Sequence, residues 1–218
     1  KIHTERGMPN VMNIESLKRT LSPDSLWPQS VQWGMHDYTL LGAQRAREFN
    51  GLVEEGLGKA NSAEEFTRWA QLINYNGYRG MYESTSKSRA GLLIWMSHAC
   101  WPSMVWQTYD YYFDPTAAYF GVKKACEPLH IQYNALTDSV EVVNHSAGNV
   151  AGITATVTVF DLNGKKVRQQ KVRLNSNEDT TKAILKLAKL QAQAPSDVWF
   201  LRLTLADKRG VISENEYI

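Results

Sequence analysis

One carboxylate, Glu5, lies where a short apolar and hydroxyl-bearing strand passes into a turn. A carboxylate in such a place can do covalent or acid–base chemistry if the fold holds it in a site. The residues alone favour a plainer role, either a solvated turn carboxylate or a partner for Arg6. Arg6 could stabilise the ionised form of Glu5, although the side chains of adjacent residues usually point apart.

A second stretch with chemical potential is GLLIWMSHACWP, residues 91–102, which holds Trp95, His98 and Trp101. Large aromatic side chains most often fill a core, but they also form platforms for the apolar face of a sugar. An imidazole such as that of His98 can donate one hydrogen bond to a hydroxyl group. From the residues alone, Trp95 and Trp101 are either core residues or sugar contacts.

The composition is that of a soluble globular protein, and its charge distribution identifies no partner. The chain has 218 residues, of which 43% are hydrophobic, so it can form one large or two ordinary domains. Its 24 basic and 22 acidic residues are interspersed, which predicts no nucleic-acid partner. The apolar runs are too short to span a bilayer, so no membrane partner is predicted. The five histidines and two cysteines lack ligand spacing, which predicts no metal, no cofactor and two free, buried thiols.

Helical signals dominate residues 1–128. The residues from Ser62 to Glu65 have capping-box spacing, and apolar residues recur at helical intervals from Phe66. This pattern predicts a long helix that begins at Ala63. Further helices are predicted over residues 42–55 and 116–126.

Two strands are predicted among these helices. The first is the short stretch that ends at Glu5, and the second is the continuous apolar run that begins at Gly91 and ends around His98 to Trp101. Such a run is typical of a strand buried on both faces of a parallel sheet. In a barrel of alternating strands and helices, functional groups lie at the carboxyl ends of the strands. Glu5 and the residues around His98 would then face the same mouth.

The composition changes near Glu127 and Pro128, which predicts a domain boundary there and two domains, residues 1–128 and 129–218. Asn163-Gly164 is a strong hairpin signal between two alternating runs. The runs that alternate apolar and polar residues are LHIQYNA, SVEVVNH, ITATVTVFD, KKVRQQKVRL and VWFLRLTLAD. They predict an all-β sandwich of immunoglobulin-like type, with turns that include Pro195-Ser196. The segment TTKAILKLAKLQAQA fits either a strand or a helix.

Three stretches resemble a known family: HTERGMPNV, GLLIWMSHACWPSMVWQTYDYY and AYFGVKKACEPLHIQY. They are similar to the end of the catalytic barrel of glycoside hydrolase family 2, in the branch of exo-β-D-glucosaminidases and its neighbours, the plant-type endo-β-mannosidases and β-mannosidases. The resemblance spans nearly the whole chain. It implies an α/β plus all-β fold, the C-terminal portion of a TIM (β/α)8 barrel followed by an immunoglobulin-like β-sandwich, with residues 1–128 supplying the last two β–α units.

The resemblance also implies roles for individual residues. Glu5 matches the family's catalytic nucleophile, while the acid/base residue of the family lies outside this chain. Trp95 and Trp101 match positions where the family keeps aromatics at the sugar-binding mouth. His98 departs from the family, which commonly has Asn nearby to bind sugar hydroxyls, and this departure bears on the identity of the substrate and not on the fold. Asp110 is expected to fix the loop after the second strand and not to contact sugar.

The function implied by the resemblance is that of a retaining exo-glycosidase releasing terminal β-linked glucosamine from chitosan-type oligosaccharides. The alternatives are a β-mannosidase of the same family and a non-catalytic carbohydrate-binding remnant. The parent enzyme is expected to be periplasmic or secreted. The chain by itself is expected to be inactive and to self-associate through the incomplete barrel.

Overall fold

The computed structural model describes residues 2–38, 45–84, 91–104, 106–187 and 198–218. The chain divides into two compact units, Lys1–Ala125 and Cys126–Ile218. The first unit combines helices with a parallel strand pair, and the second is built from antiparallel strands. None of the helices in the described ranges has the length and apolar character needed to cross a bilayer.

The first unit is mainly helical. In chain order its elements are β1 (Ile2–Arg6), α1 (Ile14–Thr20), a 3-10 helix (Pro23–Ser25), α2 (Val31–Met35), α3 (Arg45–Leu57), α4 (Ala63–Glu83), β2 (Gly91–Ile94) and α5 (Ala117–Ala125). The predicted helices near residues 42–55, 63 onwards and 116–126 are confirmed as α3, α4 and α5, although residues 42–44 lie outside the described ranges. Helices α1 and α2 were not predicted, because elements this short show too little apolar periodicity.

Helix α4 begins where its capping signal predicts. The Ser62 Oγ accepts the backbone N–H of Glu65 at 3.2 Å, which satisfies one of the unpaired donors of the first turn. The Glu65 carboxylate reaches past the cap and accepts the backbone N–H of Asn61 at 2.8 Å. The first turn is therefore held from both directions, and the helix continues for 21 residues.

One hydrophobic core joins the first four helices. It includes the buried side chains Leu17 of α1, Trp33 of α2, Phe49 of α3 and Phe66 of α4. The rings of Trp33 and Phe66 meet edge to face at 5.9 Å, a favoured geometry for aromatic pairs. The side of α4 that carries Phe66 thus packs against α1, α2 and α3.

Strands β1 and β2 form a parallel pair, with Ile2 opposite Gly91 and Arg6 opposite Ile94. The second strand is shorter than predicted and ends at Ile94, because the backbone beyond it pairs with residues 106–109 instead. His98 and Trp101 therefore lie in a loop and do not end the strand. The expectation of burial on both faces is also wrong, since Leu93 is 59% exposed.

The two cysteines are another departure from the sequence prediction. Cys100 and Cys126 are free, as expected, but both are exposed. Cys100 lies in the loop beyond β2, and Cys126 directly follows α5. Neither position is covered as a core residue would be, so the prediction of buried thiols fails.

The second unit consists of two antiparallel sheets within the described residues. Their strand orders are β3-β4-β7 and β6-β5-β8-β9. The strands are β3 (Leu129–Asn134), β4 (Ser139–Asn144), β5 (Val150–Phe160), β6 (Lys166–Ser176), β7 (Thr180–Lys186), β8 (Phe200–Asp207) and β9 (Gly210–Tyr217). Alternate residues of both sheets enter one core, which includes Ile131, Val142, Val157 and Leu203. Period-2 alternation with one buried face produces this arrangement.

The hairpin predicted at Asn163-Gly164 is confirmed and joins β5 to β6. Gly164 has a φ of 74°, a conformation that glycine adopts without steric cost. The Asp161 carboxylate accepts the backbone N–H groups of Asn163 and Lys165, each at 2.9 Å. The turn is thus closed by side-chain and backbone bonds together.

The segment TTKAILKLAKLQAQA begins as a strand, since β7 covers Thr180–Lys186 and pairs with β4. Residues 188–197, including the predicted turn at Pro195-Ser196, lie outside the described ranges. Strand β9 was not predicted. It completes the four-stranded sheet by pairing with β8.

The core of the second unit generates a stability prediction. Leu203 is fully buried between β5 and β9, so Leu203→Ala leaves a cavity. We expect it to lower the free energy of unfolding of residues 126–218 by about 2–5 kcal/mol. Urea denaturation followed by circular dichroism on this isolated unit measures the effect.

The matched control is Leu162→Ala, the same change at a residue of the β5–β6 turn that is 59% exposed. It is expected to alter the unfolding free energy by no more than about 0.5 kcal/mol. Equal effects of the two variants, or a wild-type segment that does not unfold cooperatively, would contradict an independently folded core.

Candidate active site

The carboxyl ends of β1 and β2 lie at the same edge of the strand pair, because the strands are parallel. Glu5 is the penultimate residue of β1, and Trp95 directly follows β2. The backbone N–H of Trp95 donates to the carbonyl oxygen of Arg6 at 2.7 Å. Two of the predicted site residues, Glu5 and Trp95, are therefore brought together at this edge.

Glu5 is exposed at the end of its strand. Among the residues that the structure describes, neither Glu5 nor Arg6 has an ion-pair partner. A pairing of Glu5 with Arg6, one of the plainer interpretations of the sequence, is thus not observed. The described side chains also include no cluster of three potential metal ligands.

Gly7 lets the chain after Glu5 approach the backbone after β2. A Cβ atom at Gly7 would lie 1.9 Å from the carbonyl oxygen of Trp95 and 3.3 Å from Cδ1 of Trp106. The first contact is shorter than any real carbon–oxygen contact, and its partner is backbone that cannot rotate away. Glycine is therefore the residue that this crossing allows.

One face of α4 holds the segment that follows β1. The Gln71 side-chain amide donates to the Val11 carbonyl oxygen at 2.7 Å. The Asn74 amide donates to the Pro9 carbonyl oxygen at 2.8 Å. Gln71, Asn74 and Tyr78 lie three and four residues apart, so they share one side of the helix. We call these three residues the α4 polar face.

Tyr78, the third member of the α4 polar face, reaches the segment after β1 and the loop after β2. Its buried hydroxyl lies 3.1 Å from the Met8 carbonyl oxygen and 3.2 Å from the Trp106 carbonyl oxygen, and either oxygen can accept its proton. It also accepts the Met8 backbone N–H at 3.4 Å. Burial raises the pKa of the Tyr78 hydroxyl, so the group remains a neutral donor. One hydroxyl therefore connects the segment after Glu5 with the loop after β2.

The loop after β2 folds back on itself, so that residues 96–97 pair with residues 106–109. Met96 donates its backbone N–H to Trp106 at 2.7 Å and accepts that of Thr108 at 3.1 Å, while Tyr109 donates to Ser97 at 2.8 Å. The Thr108 hydroxyl also donates to the Ser97 carbonyl oxygen at 3.1 Å. These bonds fix the backbone that immediately precedes His98.

Trp95 and Trp101 are exposed over 48% and 40% of their surfaces, so neither is a core residue of this unit. Trp101 stacks on the ring of His36 at 5.8 Å. His36 is itself bonded to the loop, since its Nδ1 lies 2.6 Å from the Pro102 carbonyl oxygen and its own carbonyl accepts the Met104 N–H at 2.9 Å. The region after α2 thus positions Trp101.

His98 lies under an aromatic ring that the sequence interpretation did not single out. Its imidazole stacks on Phe113 with ring centroids 4.3 Å apart and an interplanar angle of 16°. Among the described residues, no hydrogen-bond partner faces its buried Nε2. The signal that could have revealed Phe113 is its place in a turn between two aspartates, Asp110 and Asp114, where an aromatic side chain has no core to enter.

Asp110 fixes this turn, as the sequence predicts. Its Oδ1 accepts the backbone N–H groups of Tyr112 at 2.9 Å and Asp114 at 3.1 Å. The carboxyl group is buried and directed into the turn. Its role is therefore to hold the loop.

Comparison with known proteins locates the chain among glycosidases. An exo-β-D-glucosaminidase of Streptomyces avermitilis is 30% identical over 96% of the chain, which covers 24% of that protein. The exo-chitosanase structure from Amycolatopsis orientalis superposes with a TM-score of 0.80 at 28% identity, over 96% of this chain and 26% of that one. A β-D-mannosidase from Dictyoglomus thermophilum shares the fold, with a TM-score of 0.82 at 18% identity over 99% of this chain and 27% of that one. No family model matches the chain.

These similarities extend over both units of the chain, which spans about a quarter of the length of the relatives it matches. The chain belongs to glycoside hydrolase family 2, in the branch of exo-β-D-glucosaminidases and β-mannosidases.

The α4 polar face generates a prediction about Tyr78. Tyr78→Phe removes the hydroxyl that joins Met8 to Trp106 and leaves the half-buried carbonyl oxygens of these residues without that donor. We expect the full-length protein to lose about 1–3 kcal/mol of unfolding free energy. We also expect its kcat on glycosides to fall more than its KM changes, because the strand ends lose their mutual alignment.

Thermal unfolding and steady-state kinetics measure both effects. Tyr75→Phe on the same helix is the matched control, since it keeps the ring that contacts the Arg79 guanidinium and is expected to change both quantities less. A Tyr78→Phe protein with wild-type stability and kcat would show that the hydroxyl does not align the two segments.

Proposed function

We propose that the chain is the C-terminal segment of a retaining exo-glycosidase that releases terminal β-linked glucosamine from chitosan-type oligosaccharides. In this proposal residues 1–128 supply the last two β–α units of a (β/α)8 barrel, and residues 129–218 form an immunoglobulin-like sandwich. The similarity to exo-β-D-glucosaminidases over nearly the whole chain supports it. The parallel β1–β2 pair with Glu5 at its carboxyl end is consistent with a barrel segment.

The observation that carries the proposal is the position of Glu5 beside the loop after β2. A retaining glycosidase uses two carboxyl groups roughly 5–5.5 Å apart, one as nucleophile and the other as acid/base. Glu5 would attack the anomeric carbon and form a covalent glycosyl–enzyme intermediate. The acid/base would come from a part of the parent protein outside this chain. Exposure of Glu5 at the strand end leaves its oxygens accessible to a sugar.

The aromatic residues have complementary roles in this proposal. Trp95 and Trp101 present half-exposed rings on loops that follow the strand ends, where a ring can stack on the apolar face of a sugar. His98 contributes an imidazole nitrogen that has no partner among the described residues. A hydroxyl of the substrate could supply that partner.

A 2-amino sugar adds one electrostatic requirement. Its ammonium group needs an acidic or carbonyl partner, because an unpaired buried charge costs several kcal/mol. In this chain Glu5 is the evident carboxylate at the strand ends, and it is assigned to the anomeric carbon. The partner of the ammonium would therefore lie elsewhere in the parent protein.

The experiment is a kinetic comparison of the full-length enzyme on aryl β-glucosaminide, β-mannoside and β-galactoside. We expect the glucosaminide to give the highest kcat/KM. Glu5→Gln should lower kcat on the order of 10⁴-fold or more, because a nucleophile is lost. Glu15→Gln, at an exposed glutamate of α1, is the control and should leave kcat unchanged.

A preference for the mannoside would overturn the glucosaminidase assignment but keep Glu5 as nucleophile. Absence of turnover in the full-length protein would favour a non-catalytic carbohydrate-binding role.

The 218-residue chain assayed alone should give no turnover, because leaving-group protonation is commonly worth about 10²–10⁴-fold. By light scattering it should self-associate, since Ile2 of β1 and Leu93 of β2 are exposed beside unpaired strand edges.

A further inference from the structure

Several hydrogen bonds hold the turn from Asp110 to Asp114 in place. Besides the bonds to the Asp110 carboxylate, Asp110 donates its N–H to the Asp114 carbonyl oxygen and accepts the N–H of Phe113, both at 3.0 Å. The Asp114 Oδ2 accepts the hydroxyl of the buried Ser16 at 3.2 Å. The turn is thus tied both to itself and to α1.

Phe113 lies in this hydrogen-bonded turn. The residue has a φ of 66°, a left-handed conformation that is sterically unfavourable for a bulky side chain. Its ring is nevertheless 73% exposed, so core packing does not compensate for the conformation. Backbone held in such a region by its surroundings clusters at active sites, ligand clamps and switch regions.

His98 holds the Phe113 ring from one side. The parallel stacking at 4.3 Å covers one face of the phenyl group, and the large exposed fraction of Phe113 leaves its other face open. His98 is in turn fixed by the backbone pairing of its loop with Tyr109. Phe113 is therefore an immobilised aromatic surface, and a ligand that stacks on it need not first order the side chain.

The position of this surface indicates which sugar it would meet. His98 is three residues beyond Trp95, so the two residues lie at most on the order of 10 Å apart. Trp95 in turn lies beside Glu5, because its backbone N–H donates to the carbonyl oxygen of Arg6, the residue after Glu5. An exo-acting enzyme holds a single sugar on the inner side of the cleaved bond. Every further sugar lies outward, on the side of the leaving group.

We propose that Phe113, backed by His98, binds the sugar on the leaving-group side of the cleaved bond, by stacking on the apolar face of a second glucosamine residue. This inference rests on the proposed glycosidase function. It assigns Phe113 to substrate specificity: the residue discriminates oligosaccharides from glycosides without a sugar leaving group.

The test compares two substrates of the full-length enzyme. β-Glucosaminyl fluoride has a leaving group that cannot stack, while the β-1,4-linked glucosamine disaccharide places a sugar at Phe113. Phe113→Ala should lower kcat/KM about tenfold for the disaccharide and less than about twofold for the fluoride. The quantity compared is the ratio of kcat/KM for the disaccharide to kcat/KM for the fluoride. Phe113→Trp should retain the wild-type value of this ratio, because tryptophan also presents an aromatic face.

Phe120→Ala is the matched control, since Phe120 is an exposed phenylalanine on α5, and it should leave the ratio unchanged. If Phe113→Ala does not fold, Phe113→Leu carries the same comparison. An equal loss on both substrates, or an unchanged ratio in an active enzyme, would overturn the role of Phe113 and leave the proposed function standing. A wild-type protein that cleaves neither substrate would overturn both.

Discussion

The hydroxyl group of Tyr78 connects the two backbone segments on which the candidate site is built. Glu5 lies at the end of β1, just before one of these segments, and the loop after β2 carries the aromatic residues. The Tyr78 hydroxyl lies within hydrogen-bond distance of the carbonyl oxygens of Met8 in the first segment and Trp106 in the second. The glycine crossing at Gly7 brings the same segments into backbone contact. The relative placement of Glu5 and the aromatic residues thus depends on a buried helix side chain and not on the two-stranded sheet alone.

Helix α4 combines two roles on different faces. Its apolar residues, such as Phe66, enter the core with α1 to α3, and the residues of its polar face bond to the backbone after β1. A loop near a strand end cannot be held by strand pairing once the ladder has ended. The helix supplies the missing hydrogen bonds, so the exposed site stands on a rigid, buried support.

Local signals made much of the fold predictable from the sequence. The cap at Ser62 and the turn at Asn163-Gly164 depend on a few neighbouring residues, and both were identified correctly. The end of β2 was not, because the bonds of Met96 to Trp106 and Thr108 form across a loop whose closure no local pattern reveals. Phe113 and Tyr78 were missed for the same reason: their importance arises from contacts distant in sequence. Period alone could not decide between strand and helix for β7.

The proposed function requires that Glu5 form a covalent bond to the sugar. Incubation of the full-length enzyme with a fluorinated glucosaminyl fluoride, which slows breakdown of a glycosyl–enzyme intermediate, followed by proteolysis and mass spectrometry, tests it most directly. We expect one glycosyl group attached to Glu5 in the peptide from the β1 strand, and none in the Glu5→Gln protein. Label on another carboxylate, or steady turnover with no covalent adduct at any point, would contradict it.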